Sequence, residues 1–270
     1  MRWFPLALVT AGLTTFGAAQ TELVGRNQFP QFRAMSGLSG STFPVSPSGL
    51  PDYNGAMALS TPIAYSLTGW TFVAGFGSLS FDTNFRFPSG RDGNKRSNGT
   101  AQLMLGVPLG GAGDFTVSYM VLSGIMDNAL NVQWTPGRQE GKLRYSVGVQ
   151  DIGGGGGSAG EKHPRDGETS RSFFGVATYA IDEKSHVSLG TGTRRFQPIY
   201  GNISTSLAPN LKATLEYDAF NWNFGVAYRL GALRRMTEET YDKPARTADA
   251  HAFIGLVRGK LLFWGLNISF

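Results

Sequence analysis

Residues 211–229, LKATLEYDAFNWNFGVAYR, alternate between apolar and polar side chains on either side of a short break. Apolar residues occupy positions 211, 213, 215 and 217 before the break and positions 222, 224, 226 and 228 after it. Successive side chains of a strand point to opposite faces, whereas a helix would place residues three or four apart on one face. The stretch therefore predicts a β-hairpin in which each strand has one apolar face.

The same alternation recurs along most of the chain. Residues 130–135 and 143–150 predict a second hairpin of this kind. The last strand is predicted over 261–270, with its apolar side chains at the even positions. Weaker candidates are 55–66, 70–79, 100–109, 114–123, 172–181, 186–195, 200–207 and 249–257. Several of them carry glycine on the polar face, which suits a crowded interior.

The N-terminus has the features of an export signal. Met1 and Arg2 form a short basic region, Phe4 to Phe16 are mostly apolar, and residues 17–19 are small. Residues 1–19 are therefore predicted to be a signal peptide that is cleaved after Ala19. No later segment has the ~18 continuous apolar residues that a transmembrane helix needs.

Export and alternation together favour a transmembrane β-barrel of an outer membrane. Such strands turn their apolar face to lipid and carry aromatic residues near both interfaces. Aromatic residues lie near predicted strand ends at Trp70, Trp134, Trp222 and Phe270. A secreted β-sandwich binding module is the alternative, because it would bury the same apolar faces between two sheets.

The candidate strands are thirteen, and a bacterial single-chain barrel needs an even number. We predict an all-β, antiparallel transmembrane barrel of about twelve strands, with ten or fourteen possible. The extra candidate is expected at 55–66, which Pro62 interrupts, or among the short segments near 200–220. The barrel is predicted over 55–270, and residues 20–54 form either a periplasmic segment or a plug in the lumen.

The predicted connections are of two lengths. Short turns are expected near 68–69, 182–183, 209–210 and 258–259, and long polar stretches at 80–98, 151–170 and 231–248. Short periplasmic turns and long outer loops are typical of outer-membrane barrels. The stretch 231–248 does not fit this arrangement, because the order of the predicted strands places this long stretch on the side of the short turns.

Composition excludes several kinds of site. The chain has no cysteine, so disulfides, thiolate metal sites and a lipidated N-terminal cysteine are absent. Its 37 glycines, 12% aromatic residues and 16% charged residues depart from average usage in a way that suits a barrel. The formal charge of +5 comes from scattered residues, so nucleic-acid binding is not predicted.

The final residues, Gly265-Leu266-Asn267-Ile268-Ser269-Phe270, resemble the C-terminal assembly signal of outer-membrane proteins. Gly265, Ile268 and Phe270 match its glycine, its alternating apolar position and its terminal aromatic residue. Phe263 stands where a polar residue is usual. The resemblance implies outer-membrane lipids and the barrel-assembly machinery as partners, with recognition by strand addition.

A second resemblance covers about residues 140–230. Ser146–Gly154, Ser188–Gly192, Leu215–Asp218 and Asn221–Val226 resemble the glycine-rich hairpins of the YjbH-like family. This resemblance implies an envelope barrel linked to exopolysaccharide export or anchoring, with surface polysaccharide as a partner. A narrow diffusion porin is the alternative function.

Charged residues on the polar strand faces are the candidate lumen residues: Arg144, Lys212, Glu216, Asp218 and Arg229. They could bind one another and close the lumen, or line a water path.

No catalytic, cofactor or metal site is predicted. His186 and Ser188 share a strand face, and Asn202 could lie on the next strand, as in outer-membrane phospholipases. The surrounding residues do not resemble that family, so we predict that the chain is not an enzyme. His163, His186 and His251 have no metal-ligand spacing.

Overall fold

A computed structural model of the chain describes residues 35–80, 97–122, 127–137, 139–154, 170–233, 248–257, 259 and 261–270. The predicted signal peptide, His163 and most of the three long polar stretches lie outside these residues. Among the described residues, no helix is long and apolar enough to span a membrane.

Twelve strands form the fold, and each pairs antiparallel with the next along the chain. The strands are β1 (Phe72–Ser80), β2 (Ser97–Pro108), β3 (Gly113–Leu122), β4 (Asp127–Pro136), β5 (Leu143–Gln150), β6 (Ser172–Ala180), β7 (Ser185–Gly192), β8 (Tyr200–Ala208), β9 (Leu211–Tyr217), β10 (Trp222–Leu233), β11 (Ala248–Val257) and β12 (Leu261–Ser269). β1 also pairs with β12, so the sheet closes into a barrel without edges. This confirms the predicted class and strand number and excludes the two-sheet sandwich.

Alternation separates the two faces of the barrel wall. On β9, Lys212, Thr214 and Glu216 are buried inside, and the residues between them face outward. Large apolar side chains are exposed on the outer face of most strands, among them Leu103, Tyr119, Leu130, Tyr145, Phe173, Leu189, Ile203, Phe224, Ile254 and Leu266. An apolar exterior around polar strand faces is the architecture of a barrel that spans the outer membrane.

Aromatic pairs lie near both ends of the barrel. Phe72 contacts Phe270 at one end, with ring centroids 6.0 Å apart. At the opposite end Tyr217 contacts Trp222, at 5.4 Å. Their outward positions match the aromatic girdles that mark the two membrane interfaces.

Residues 35–67, called here the lumenal segment, lie inside the barrel. Apart from several exposed residues between 47 and 54, they are buried, and they contribute to all three apolar clusters of the described residues. In one cluster Met57 and Leu59 pack with the inward-facing Phe253 and Phe263. The hydrophobic core is therefore formed between this segment and the inner wall.

The predicted strand 55–66 is wrong, because these residues belong to the lumenal segment. The barrel begins at Phe72 rather than at residue 55. Apolar residues in 55–66 occur at both odd and even positions. The reason is that these residues are surrounded by the barrel wall on all sides and have no face toward lipid.

The predicted relation between the length of a connection and the end of the barrel fails at several connections. We call the end where β1 begins and β12 finishes the turn end, and the opposite end the loop end. The short β11–β12 connection lies at the loop end, whereas β10 finishes and β11 begins at the turn end. Successive strands run in opposite directions. The position of a connection in the strand order, and not its length, therefore decides the end of the barrel at which it lies.

Candidate functional site

The lumenal segment has little regular secondary structure, so its backbone groups need other partners. Part of it pairs with itself: Thr42 N donates to the carbonyl of Ala58 (2.8 Å), and Val45 and Ala56 exchange two hydrogen bonds of 2.9 and 2.8 Å. These bonds fold the segment back on itself within the lumen.

Inward-facing side chains of the wall bind much of the remaining backbone. The donors and acceptors are uncharged hydroxyl and amide groups from several strands. Ser204 Oγ accepts from Met57 N (3.1 Å), Thr178 Oγ1 from Ala64 N (2.8 Å) and Thr116 Oγ1 from Leu67 N (2.7 Å), and Gln133 Nε2 and Gln150 Nε2 donate to the carbonyls of Ile63 (2.7 Å) and Ser36 (2.6 Å). The segment is thus attached along most of its length.

Glu216 makes the densest of these attachments. Its Oε2 accepts hydrogen bonds from the backbone amides of Leu59, Ser60 and Thr61, at 2.9, 3.0 and 2.9 Å. The hydroxyls of Ser60 and Thr61 donate to the same carboxylate, at 2.7 and 2.8 Å. Three successive amides that converge on one anion form a nest, and hydrogen bonds to a charged acceptor are stronger than neutral ones.

Two further wall residues and Arg195, from the 3-10 turn Arg194–Phe196 between β7 and β8, complete this site, which we call the Glu216 clamp. Asn223 Nδ2 donates to Glu216 Oε1 (2.9 Å) and holds the carboxylate in place. Arg195 Nη2 donates to the carbonyl of Ser60 (2.7 Å), and Asn202 Nδ2 donates to Thr61 Oγ1 (3.1 Å). All four side chains that form the clamp are buried, so the clamp lies away from bulk water.

A second attachment holds Tyr53 near the turn end. The Tyr53 ring stacks on His251 with centroids 5.7 Å apart. Lys212 Nζ donates to the carbonyl of Tyr53 (3.3 Å) and to that of Lys184 (2.9 Å). Burial raises the pKa of the Tyr53 hydroxyl above its ordinary value, so this group stays protonated.

The other predicted lumen residues have different surroundings. Asp218 follows β9 and accepts from the amides of Phe220 and Asn221 in the turn (3.0 and 2.7 Å). Arg229 forms an ion pair of 2.7 Å with Asp249 and is partly exposed. Arg144 lies on the inward face of β5.

Lys212 and Glu216 bind the lumenal segment rather than each other. In the part of the chain that the structure describes, the lumen is occupied by this segment and not by ion pairs across an open space. Most of the wall residues that bind the segment are uncharged, and a search for charged residues misses them. Their only sequence signal is their position on the polar face of a predicted strand, as for Gln133 and Asn223.

The hypothetical phospholipase arrangement does not form. His186, Ser188 and Asn202 all face the filled lumen. The Ser188 hydroxyl shares a hydrogen bond of 2.9 Å with Thr178 rather than with His186. Within the described ranges, no three His, Asp or Glu side chains cluster in a way that could hold a metal ion.

Gly265, Ile268 and Phe270 lie on or directly after β12, the strand that pairs with β1 and closes the barrel. Gly265 faces inward against Phe253, and Ile268 faces outward. Phe270 pairs through its backbone with Phe72, by hydrogen bonds of 2.8 and 3.2 Å. Their role as an assembly signal stays a prediction.

No protein-family model matches the chain, and no curated protein does. Among solved structures it is similar to the KdgM porin in complex with disordered oligogalacturonate (10% identity, 74% of this chain and 98% of that chain, TM-score 0.44). It is also similar to the NanC porin (10%, 74% and 98%, 0.40) and to the Acinetobacter baumannii outer membrane protein Omp33 (12%, 74% and 97%, 0.38). The resemblance to the YjbH-like family receives no support from these comparisons.

Proposed function

We propose that this protein is an outer-membrane channel of the diffusion-porin type, and that the structure represents its closed state. Solute passes when the lumenal segment leaves the Glu216 clamp. The polar inner wall supports the proposal, because the hydroxyl and amide groups that bind the segment can bind water once it moves. A wall that served only to pack against the segment would gain more from apolar side chains.

The connection of the segment to the barrel also supports movement. Residues 35–67 join the barrel through the short stretch before Phe72, so they can move without breaking any strand pairing. The Glu216 clamp is then the contact that most strongly favours the closed state. A link to exopolysaccharide, with surface polysaccharide as a partner, stays a prediction that none of these contacts favours.

The first test is the conductance of planar bilayers that contain the wild type or Glu216→Gln. The amide of glutamine removes the charge and presents a donor to the amides of Leu59, Ser60 and Thr61. Each donor left without an acceptor costs ~1–3 kcal/mol, so the open fraction should rise at least tenfold. Glu183→Gln is the control, because Glu183 lies exposed in the β6–β7 turn.

A reversible tether gives the second test. A Cβ added at Gly225 would lie 3.2 Å from Leu59 Cγ, so cysteines at residues 59 and 225 can form a disulfide. The chain has no other cysteine that could compete. Oxidation of the Leu59→Cys/Gly225→Cys variant should abolish the current, and reduction should restore it.

Two outcomes would contradict the proposal. Equal currents from the oxidised and the reduced tether would show that the lumenal segment does not control passage. Silent bilayers with both the wild type and Glu216→Gln, although both insert as heat-modifiable barrels, would show that the protein is not a channel.

A further inference from the structure

A second group of polar side chains lies in the lumen, apart from the Glu216 clamp. It consists of Tyr65 on the lumenal segment, Arg144 on β5 and His186 on β7. Tyr65 Oη, Arg144 Nε and His186 Nδ1 are all buried, and none has a hydrogen-bond partner among the residues that the structure describes. Tyr65 and His186 are only 2% and 1% exposed. Buried polar atoms without partners are rare, and each needs a physical explanation.

The strand register brings the three side chains together around Thr178. Arg144 lies directly opposite Thr178 across β5 and β6, and Thr178 lies opposite Ser188 across β6 and β7. His186 is the inward-facing residue that precedes Ser188 on β7.

The lumenal segment places Tyr65 at the same position. The amide of Ala64 donates to Thr178 Oγ1 at 2.8 Å, which fixes the neighbouring Tyr65. The Tyr65 ring meets His186 edge-on, with centroids 5.9 Å apart. The three side chains that carry these atoms therefore lie close together around Thr178, between the segment and the wall.

The charges and donor groups at this site favour a bound anion. Arg144 forms no ion pair with any residue in the described part of the chain. Burial raises the pKa of Tyr65 to about 12, an effect that the charge of Arg144 partly offsets, so its hydroxyl remains a donor at neutral pH. The nearby carboxylate of Asp182 already accepts from the amides of Lys184 and Ser185 (2.8 and 2.7 Å). Arg144 itself is half-buried, but its buried Nε–H and the Tyr65 hydroxyl both lack an acceptor and so form an incomplete site.

We propose that Tyr65, Arg144 and His186 bind a small oxyanion of the carboxylate or phosphate class. Arg144 Nε and the Tyr65 hydroxyl donate to its oxygens, and His186 is the third donor when its proton is on Nδ1. The anion joins the wall to the lumenal segment, because Arg144 belongs to one and Tyr65 to the other. Its binding therefore stabilises the segment inside the barrel, whether or not the barrel conducts.

Thermal unfolding in detergent tests the proposal with acetate and with inorganic phosphate, against chloride at constant ionic strength. One or both oxyanions should raise the Tm of the wild type by roughly 5 °C when present in large excess over the Kd. The increase should be lost in Arg144→Gln and in Tyr65→Phe. Tyr65→Phe keeps the buried ring, so it remains informative if Arg144→Gln folds poorly.

Lys142→Gln is the matched control. It removes one positive charge near the same end of the barrel, but from an exposed turn residue that donates to the carbonyl of Ile181. The control should keep the full oxyanion effect.

Either of two results overturns the proposal. Equal Tm values of the wild type in acetate, phosphate and chloride would mean that water alone fills the site. A wild-type response in Tyr65→Phe and Arg144→Gln would mean that the oxyanion acts elsewhere. Conductance is not measured in this test, so the channel proposal can fail separately.

Discussion

Glycines on the inner wall set how closely the lumenal segment can approach it. A Cβ added at Gly106 would lie 2.6 Å from the carbonyl carbon of Leu67 and 2.7 Å from the amide nitrogen of Thr68. Neither atom can rotate away as a side chain can, because both belong to the backbone. These contacts explain why glycine occurs on the polar face of the predicted strands.

Gly106→Ala should therefore destabilise the protein by about 1–3 kcal/mol, the usual cost of overpacking a filled interior. The measurement is the urea concentration at the midpoint of unfolding in detergent. Gly175→Ala on β6 is the control, because a Cβ there faces outward and meets nothing within 4 Å. Equal midpoints for the two variants would mean that the segment does not press against Gly106 in solution.

Single residues of the site were only partly predictable. Glu216 and Lys212 stood out as charges on a polar strand face, and both bind the lumenal segment. Tyr65 carried no signal, since aromatic residues occur throughout the chain and its importance depends on contacts with β5 and β7. Contacts between residues far apart in sequence cannot be read from local periodicity.

At the scale of elements, period-two alternation located the strands well. All twelve strands of the barrel coincide with predicted segments, because a wall between lipid and lumen imposes alternation at every position. The lumenal segment escapes this rule, since it contacts protein on all sides. The sequence left residues 20–54 open between the periplasm and the lumen and wrongly predicted a strand at 55–66, because the barrel contacts that hold the segment in place are not local.

The closing strand β12 provides a prediction at this scale. Phe270 pairs with Phe72 across the seam and ends the strand that resembles the assembly signal. Deletion of Phe270 should reduce insertion into the outer membrane severalfold, since strand addition then loses its terminal residue. The measurement is the fraction of protein that migrates as a heat-modifiable band after membrane fractionation.

The Phe72→Ala variant distinguishes recognition of the C-terminus during assembly from packing of the Phe270 ring. This variant loses the ring contact with Phe270, at 6.0 Å, but keeps the C-terminus intact. It should insert normally if Phe270 acts as a signal. Unchanged insertion after deletion of Phe270 would show that the C-terminus is not the assembly signal. An equal loss of insertion in both variants would show that the aromatic contact is what insertion requires.

For the whole molecule, the barrel and the lumenal segment differ in how they are held. Each strand is bonded to two neighbours in a closed ring, so no strand can leave without breaking the barrel. The segment is held by side chains of the wall, and its bonds can break while the ring stays intact. The proposed channel opening requires this difference in stability within one molecule.

Native-state hydrogen exchange measures that difference directly. Peptides from residues 57–67 should exchange faster than peptides from β3, because release of the segment leaves the barrel paired. Glu216→Gln should accelerate exchange in 57–67 by roughly 10- to 100-fold, equivalent to ~1–3 kcal/mol, and leave β3 unchanged. Glu183→Gln should change neither. Equal acceleration of the segment and β3 would mean that the segment is released only when the barrel unfolds, and opening by its movement would then be wrong.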